Sequence, residues 1–176
     1  MHRILVILAL CLCVPATAIA AYSKGAWNGT GKVPGAKDAK DRTVRLAANV
    51  ARRECKKLTG MDATGNPETK QVRGTCFAFR GRSSYQVTCT FASGAPDIEE
   101  TVTPPSDYVI GKGGAYSVSE RSKSTNPQAT RDVTNSVSIT LRGKRATGAA
   151  TYRSRQSSLA GDVTCAGRMN ITLRHR

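Results

Sequence analysis

Six cysteines and two histidines are the residues of this chain best suited to nucleophilic, redox or metal chemistry. His2 lies in a leader expected to be removed, which leaves His175, next to last in the sequence. A Ser-His-Asp triad, an HExxH zinc site or a two-histidine nuclease each needs an imidazole held rigidly inside a fold, so these activities are excluded from the expectation. Cys11 and Cys13 leave with the leader, and Cys55, Cys76, Cys89 and Cys165 remain. An even number of cysteines in an exported chain predicts two disulfides. A four-thiolate zinc site favours paired Cys-x-x-Cys knuckles, which are missing, as is any such redox motif. Cys76 and Cys89 fall almost opposite each other on a predicted hairpin, but a bridge between directly paired strand neighbours is geometrically constrained. The preferred pairing is therefore Cys55–Cys76 with Cys89–Cys165, and neither a metal nor a cofactor is predicted.

Two carboxylates could do acid–base work. Glu100 shares strand parity with Ile98 and Val102, and Glu120 shares it with Tyr116 and Val118. If those two strands pair as a hairpin, the acids become diagonal neighbours about 7–8 Å apart at Cα, a separation at which glycoside hydrolases hold an acid and a base. Exposed glutamates at strand ends are the commoner meaning of such a pattern.

The arginines carry the most specific signal. The chain has 27 Lys and Arg against 12 Asp and Glu, a formal charge of +15. On the polar parities of the three C-terminal predicted strands lie Arg142, Arg145, Arg153, Arg168 and Arg174, with Lys144, Arg155 and Arg176 at turns and ends. Neighbouring strands are about 4.8 Å apart, so these guanidiniums should form a two-dimensional cationic patch. Their planar forks suit phosphate or carboxylate. The expected partner is an anionic envelope lipid, a polysaccharide or an acidic protein. Nucleic acid is disfavoured, because aromatics are only 5% of residues and mostly fall on core parities, leaving no stacking platform.

The elements that must position these groups follow from pattern. Residues 1–20 read as a secretory signal: His2 and Arg3 precede the apolar run Ile4–Val14, and Ala18-Ile19-Ala20 offers a cleavage pattern. The run is too short to span a bilayer, and no second one follows. Residues 21–176 then form one disulfide-stabilised domain. Ala21–Lys37 is an edge strand or an arm. A helix capped by Asp38 or Asp41 runs to Leu58-Thr59, with Val44, Ala48, Ala51, Cys55 and Leu58 on one stripe. Strands are predicted at Val72–Arg80 and Ser84–Ala92 as one hairpin, Ile98–Thr103 and Ala115–Arg121 as another, and Val133–Arg142 with Arg145–Arg153 as a third. Met61–Lys70 and Lys123–Thr130 are loops. Strict alternation over Asp162–Arg174 marks a final strand with one buried face.

The predicted class is α+β: a strand-dominated antiparallel curved sheet or partly closed barrel of about six or seven strands, with one N-terminal helix packed on it. The functional expectation is a periplasmic or secreted, non-enzymatic binding module whose Arg-rich sheet face docks an anionic envelope component or acidic protein. The alternatives are a small envelope glycan hydrolase using Glu100 and Glu120, or a secreted cationic effector or toxin.

Overall fold

Alternation of buried and exposed side chains runs through most of the chain, and it produces strands. The computed structural model describes residues 21–35, 40–63 and 66–176; the predicted signal and Asp38 lie outside the described residues. Among the described residues ten strands form one sheet: β1 Gly25–Val33, β2 Arg42–Met61, β3 Pro67–Arg80, β4 Tyr85–Phe91, β5 Ile98–Val102, β6 Tyr108–Val109, β7 Ala115–Asn126, β8 Ala129–Arg142, β9 Arg145–Ser158 and β10 Gly161–His175. The only helical turn among the described residues is a 3-10 turn at Lys112–Gly114. Seven strands follow one another as β3–β2–β1–β10–β9–β8–β7, each antiparallel to the next. With β6 as the eighth member they wrap into a nearly closed barrel.

The predicted N-terminal helix does not exist, and the fold is all-β instead of α+β. Its segment is β2, a 20-residue strand laddered to β1 on one edge and β3 on the other. The stripe Val44, Ala48, Ala51, Cys55 and Leu58 fits a helix, but Val44, Leu46, Ala48 and Val50 also alternate with period two. Two flanking strands offering ladders decide between the patterns, because helix propensity is worth only tenths of a kcal/mol per residue. Ala21–Lys37 likewise holds not an edge but the central strand β1.

Three further expectations change. The segments on either side of Gly81 are β3 and β4, but they do not pair with each other; β4 pairs with β10 and β5. Ile98–Val102 and Ala115–Asn126 do not form a hairpin either, since β7 pairs with β8. Lys123–Thr130 is not a flexible loop: β7 and β8 run through it, leaving Pro127 and Gln128 as the turn. The β8–β9 hairpin on Gly143-Lys144 and the strand β10 are found as expected.

Both preferred disulfides are present, Cys55–Cys76 and Cys89–Cys165. Cys55 is in register with Val72, while Cys76 is in register with Ala51. On a straight ladder that four-residue offset would separate the cysteines by roughly 13 Å, yet their Cα atoms are 6.1 Å apart. The β2–β3 hairpin therefore folds back on itself, and β6 lies in the fold, paired with Lys56 of β2 and with Cys76 and Phe77 of β3. Lys56 N–H donates to the Asp107 carbonyl (2.9 Å), and Ile110 N–H to that of Thr75 (2.8 Å). Arg53 adds an ion pair to Asp107 at 2.5 Å.

The core fills the barrel. Trp27, Val50, Phe77, Tyr116, Ile139, Leu141, Met169 and Leu173 are all inaccessible or nearly so. Each such large side chain contributes about 1.5–3 kcal/mol by leaving water. Between β3 and β7 no ladder closes the seam; Phe77 and Tyr116 close it with rings 4.6 Å apart, and the Tyr116 hydroxyl donates to the Pro105 carbonyl at 3.0 Å.

Candidate anion-binding face

Strand parity places all five predicted anion-binding arginines outward. On β8, Leu141 and Ile139 point inward, so Arg142 points out; Arg145 and Arg153 on β9, and Arg168 and Arg174 on β10, follow the same rule, and all five are exposed. Register then distributes them. Arg142 pairs with Arg145, and Arg145 with Arg174, so three guanidinium side chains stand abreast on adjacent strands. Arg168 is opposite Thr151, and Arg153 is opposite Ala166, which makes them diagonal neighbours. The expected continuous patch is two clusters. They are separated by about 20 Å along β10 and about 27 Å along β9, at 3.4 Å per residue.

Short hydroxyl, amide and methyl side chains fill the gap. One cross-strand row is Thr172, Thr147 and Thr140, and the next is Asn170, Ala149 and Ser138. No carboxylate occurs on these rows. Like charges directly opposite each other destabilise a sheet, and among the described residues none of the five arginines has a carboxylate partner, although Arg168 Nε donates to Asn170 Oδ1 at 3.0 Å.

Beside the second cluster a cleft of about 400 Å3 is lined by Arg121, Asp132, Thr134, Arg153, Arg155 and Thr164. Here the charges divide into paired and unpaired. Arg121 grips Asp132 with two hydrogen bonds, 3.2 and 2.6 Å, and Arg155 donates to Asp162 at 3.1 Å. The hydrogen bond from Arg121 holds the Asp132 carboxyl below the usual range, and that from Arg155 does the same for Asp162. Arg153 stands between them without an ion pair among the described residues. Arg121 was missed by the sequence reading because Ala115–Arg121 was assigned to a different hairpin.

The two glutamates are not brought together as a hairpin pair. Glu100 is on β5 and Glu120 on β7, strands with different partners. Glu120 accepts a hydrogen bond from the Tyr108 hydroxyl, and Glu100 accepts from Arg131 (3.0 Å) and from Tyr152 (3.3 Å). A half-open pocket of about 360 Å3 is lined by Glu100, Glu99, Arg131 and the Cys89–Cys165 bridge, without Glu120. Arg131 is inward because it shares parity with Val133 and Val137, a signal that was legible had the strand been started at Ala129. Burial opposes its charge, but Tyr152 and Glu100 outweigh that and raise its pKa.

His175 is more firmly held than its place near the end of the sequence suggested. Its ring packs edge-on against Trp27 at 5.4 Å, and Nε2 lies 2.7 Å from the Lys24 carbonyl oxygen. These contacts make it part of the wall around Trp27, whose indole N–H donates to the Ser23 carbonyl at 3.2 Å. No helix among the described residues is long and apolar enough to cross a membrane. No family model, no curated protein and no solved structure matches this chain.

Proposed function

We propose that the protein is a non-enzymatic binding module that holds a linear acidic glycan along the outer face of β8, β9 and β10. The observation that carries this reading is the unpaired Arg142–Arg145–Arg174 row, with Arg153 and Arg168 placed roughly 20 Å or more further along the same strands. A single phosphate or lipid headgroup can neutralise one cluster only. An extended polyanion reaches both, and the hydroxyl rows between them supply donors and acceptors to sugar hydroxyls. Arginine forks suit the carboxylate or sulfate groups of such a chain. The apolar leader and the two disulfides support an envelope or extracellular setting, where acidic glycans occur. The toxin alternative gains no support from the predicted helix segment, which is the paired strand β2. The hydrolase alternative lost its paired glutamates.

Calorimetric titration with a uronic-acid dimer, a uronic-acid chain long enough to span both clusters, and vesicles of anionic phospholipid tests the reading. The long chain should bind far more tightly than the dimer, with steep loss as salt shortens the Debye length from about 10 Å at 0.1 M to about 3 Å at 1 M. Equal affinity per charge for dimer and long chain, or stronger binding to the vesicles, overturns it.

A further inference from the structure

The two disulfides have different chemical surroundings. Cys76 Sγ lies against backbone carbonyls, 3.2 Å from Arg53 O and 3.4 Å from Gly74 O. The Cys89–Cys165 bridge instead forms part of the wall of the half-open pocket, beside a carboxylate. Glu100 divides its two oxygens: Oε1 is held by Arg131 and Tyr152, while Oε2 lies 3.8 Å from Cys89 Sγ. The ligand atoms of Cys89, Cys165 and Glu100 all fall within 4.8 Å of one another.

We propose that Cys89, Cys165 and Glu100 form a redox-gated site for a zinc-class divalent cation, closed while the disulfide is intact and opened by its reduction. An external dithiol supplies the two electrons. The protein S–S bond breaks, an S–S bond forms in the oxidised dithiol, and the two thiol protons of the reductant pass to Cys89 and Cys165. Metal binding then releases those two protons to solvent.

Charge balance couples the two events. In the oxidised site the Glu100 carboxylate and the Arg131 guanidinium cancel. Two thiolates added without a metal would leave two uncompensated negative charges in a half-buried cavity. A divalent cation cancels them, so the loaded reduced site is neutral again. Geometry supports the same reading. Cys89 and Cys165 are directly paired residues on β4 and β10, so the ladder keeps both side chains together after the bond opens. Arg131 and Tyr152 orient the Glu100 carboxylate as outer-shell partners orient metal ligands. Two sulfurs select zinc-class over calcium-class ions. Three protein ligands leave a fourth tetrahedral position facing the cavity.

This inference stands independently of the glycan reading. The test reduces the purified protein with a phosphine, maps the opened bridge by alkylation and mass spectrometry, and titrates zinc against a chromophoric chelator. One zinc per reduced chain is expected and none for the oxidised protein. Cobalt in place of zinc should give thiolate charge-transfer absorbance with a tetrahedral spectrum. Glu100→Gln should weaken binding at least about 10-fold and Arg131→Gln by about 10-fold, the scale seen when outer-shell partners are lost. A double Cys55→Ser, Cys76→Ser variant should keep the full stoichiometry. Zinc uptake of equal affinity by the reduced chain in denaturant overturns the proposal, as does unchanged affinity in Glu100→Gln. Reduction that unfolds the protein without zinc uptake overturns it as well.

Discussion

Gly148 sits on the inward parity of β9, between the buried Ala146 and Ala150, where β8 passes so closely that a Cβ would lie 1.9 Å from the Ser138 carbonyl oxygen. Backbone cannot yield as a flexible side chain does. Gly148→Ala should therefore destabilise by about 1–3 kcal/mol, the usual cost of overpacking, measurable by urea unfolding. Three tyrosines give a second residue-level expectation. Burial pushes Tyr85 up to about 12 and also raises Tyr116 and Tyr108, the last helped by its hydrogen bond to Glu120. A raised folded-state pKa stabilises fully below the unfolded value, near 10, and that stability is lost as pH climbs through the folded values. Tyrosinate absorbance should thus lag behind that of free tyrosine above pH 10 and then rise together with loss of near-ultraviolet dichroism. A titration centred at 10 in the intact fold would contradict it. Tyr116→Phe should move this alkaline transition upward in pH, read by near-ultraviolet dichroism.

At the scale of elements, the bent β2–β3 hairpin depends on its crosslink. Cys55 and Cys76 are 21 residues apart, and closing a loop of that length constrains the unfolded chain by about 3 kcal/mol. Replacing both by alanine should lower stability by about 2–5 kcal/mol. Hydrogen exchange should accelerate at Lys56 and Ile110, whose amides hold β6 in place, and much less in β8–β9. Uniform acceleration everywhere would mean that the crosslink has no local role. The same hairpin shows why the sequence was only partly legible. Period two is clear in Val44, Leu46, Ala48 and Val50, but Cys55 is buried on the opposite parity because the chain has turned back by then. A bend that swaps inside for outside leaves a stripe with helical spacing. In β10, which runs straight past three partners, Cys165, Met169, Ile171 and Leu173 keep one parity, and both the strand and its outward arginines could be read directly. Pairing partners are non-local, so the two misassigned hairpins around Gly81 and Pro104-Pro105 had no local signature to correct them. The expected cysteine pairing is found for a different reason than the one that suggested it: β3 and β4 do not form a hairpin, and Cys89–Cys165 itself joins directly paired neighbours of β4 and β10.

For the whole molecule, a formal charge of +15 is an energetic load as well as a lure for anions. The row of Arg142, Arg145 and Arg174 concentrates that load on one end of the outer face. Changing all three to glutamine should leave the melting temperature equal or slightly higher, since it removes like charges placed directly opposite. The same change should weaken glycan binding and flatten its dependence on salt. A fall in melting temperature with binding unchanged would make the row structural and remove it from the proposed face.

β10 supports β9 along one edge, while β1 takes Asn170–His175 and β4 takes Val163–Ala166 on the other. One strand is thus the junction of both the N-terminal strands and the β4–β5 hairpin. A polypeptide made from its N-terminus therefore carries β1 and β4 with an unmatched edge until Gly161–His175 have emerged. Unmatched edges invite pairing with other chains, and closing contacts between residues so far apart in sequence is slow. The order of synthesis therefore favours late, all-at-once closure, with β10 as the strand that completes the barrel and ends the period of greatest risk of aggregation.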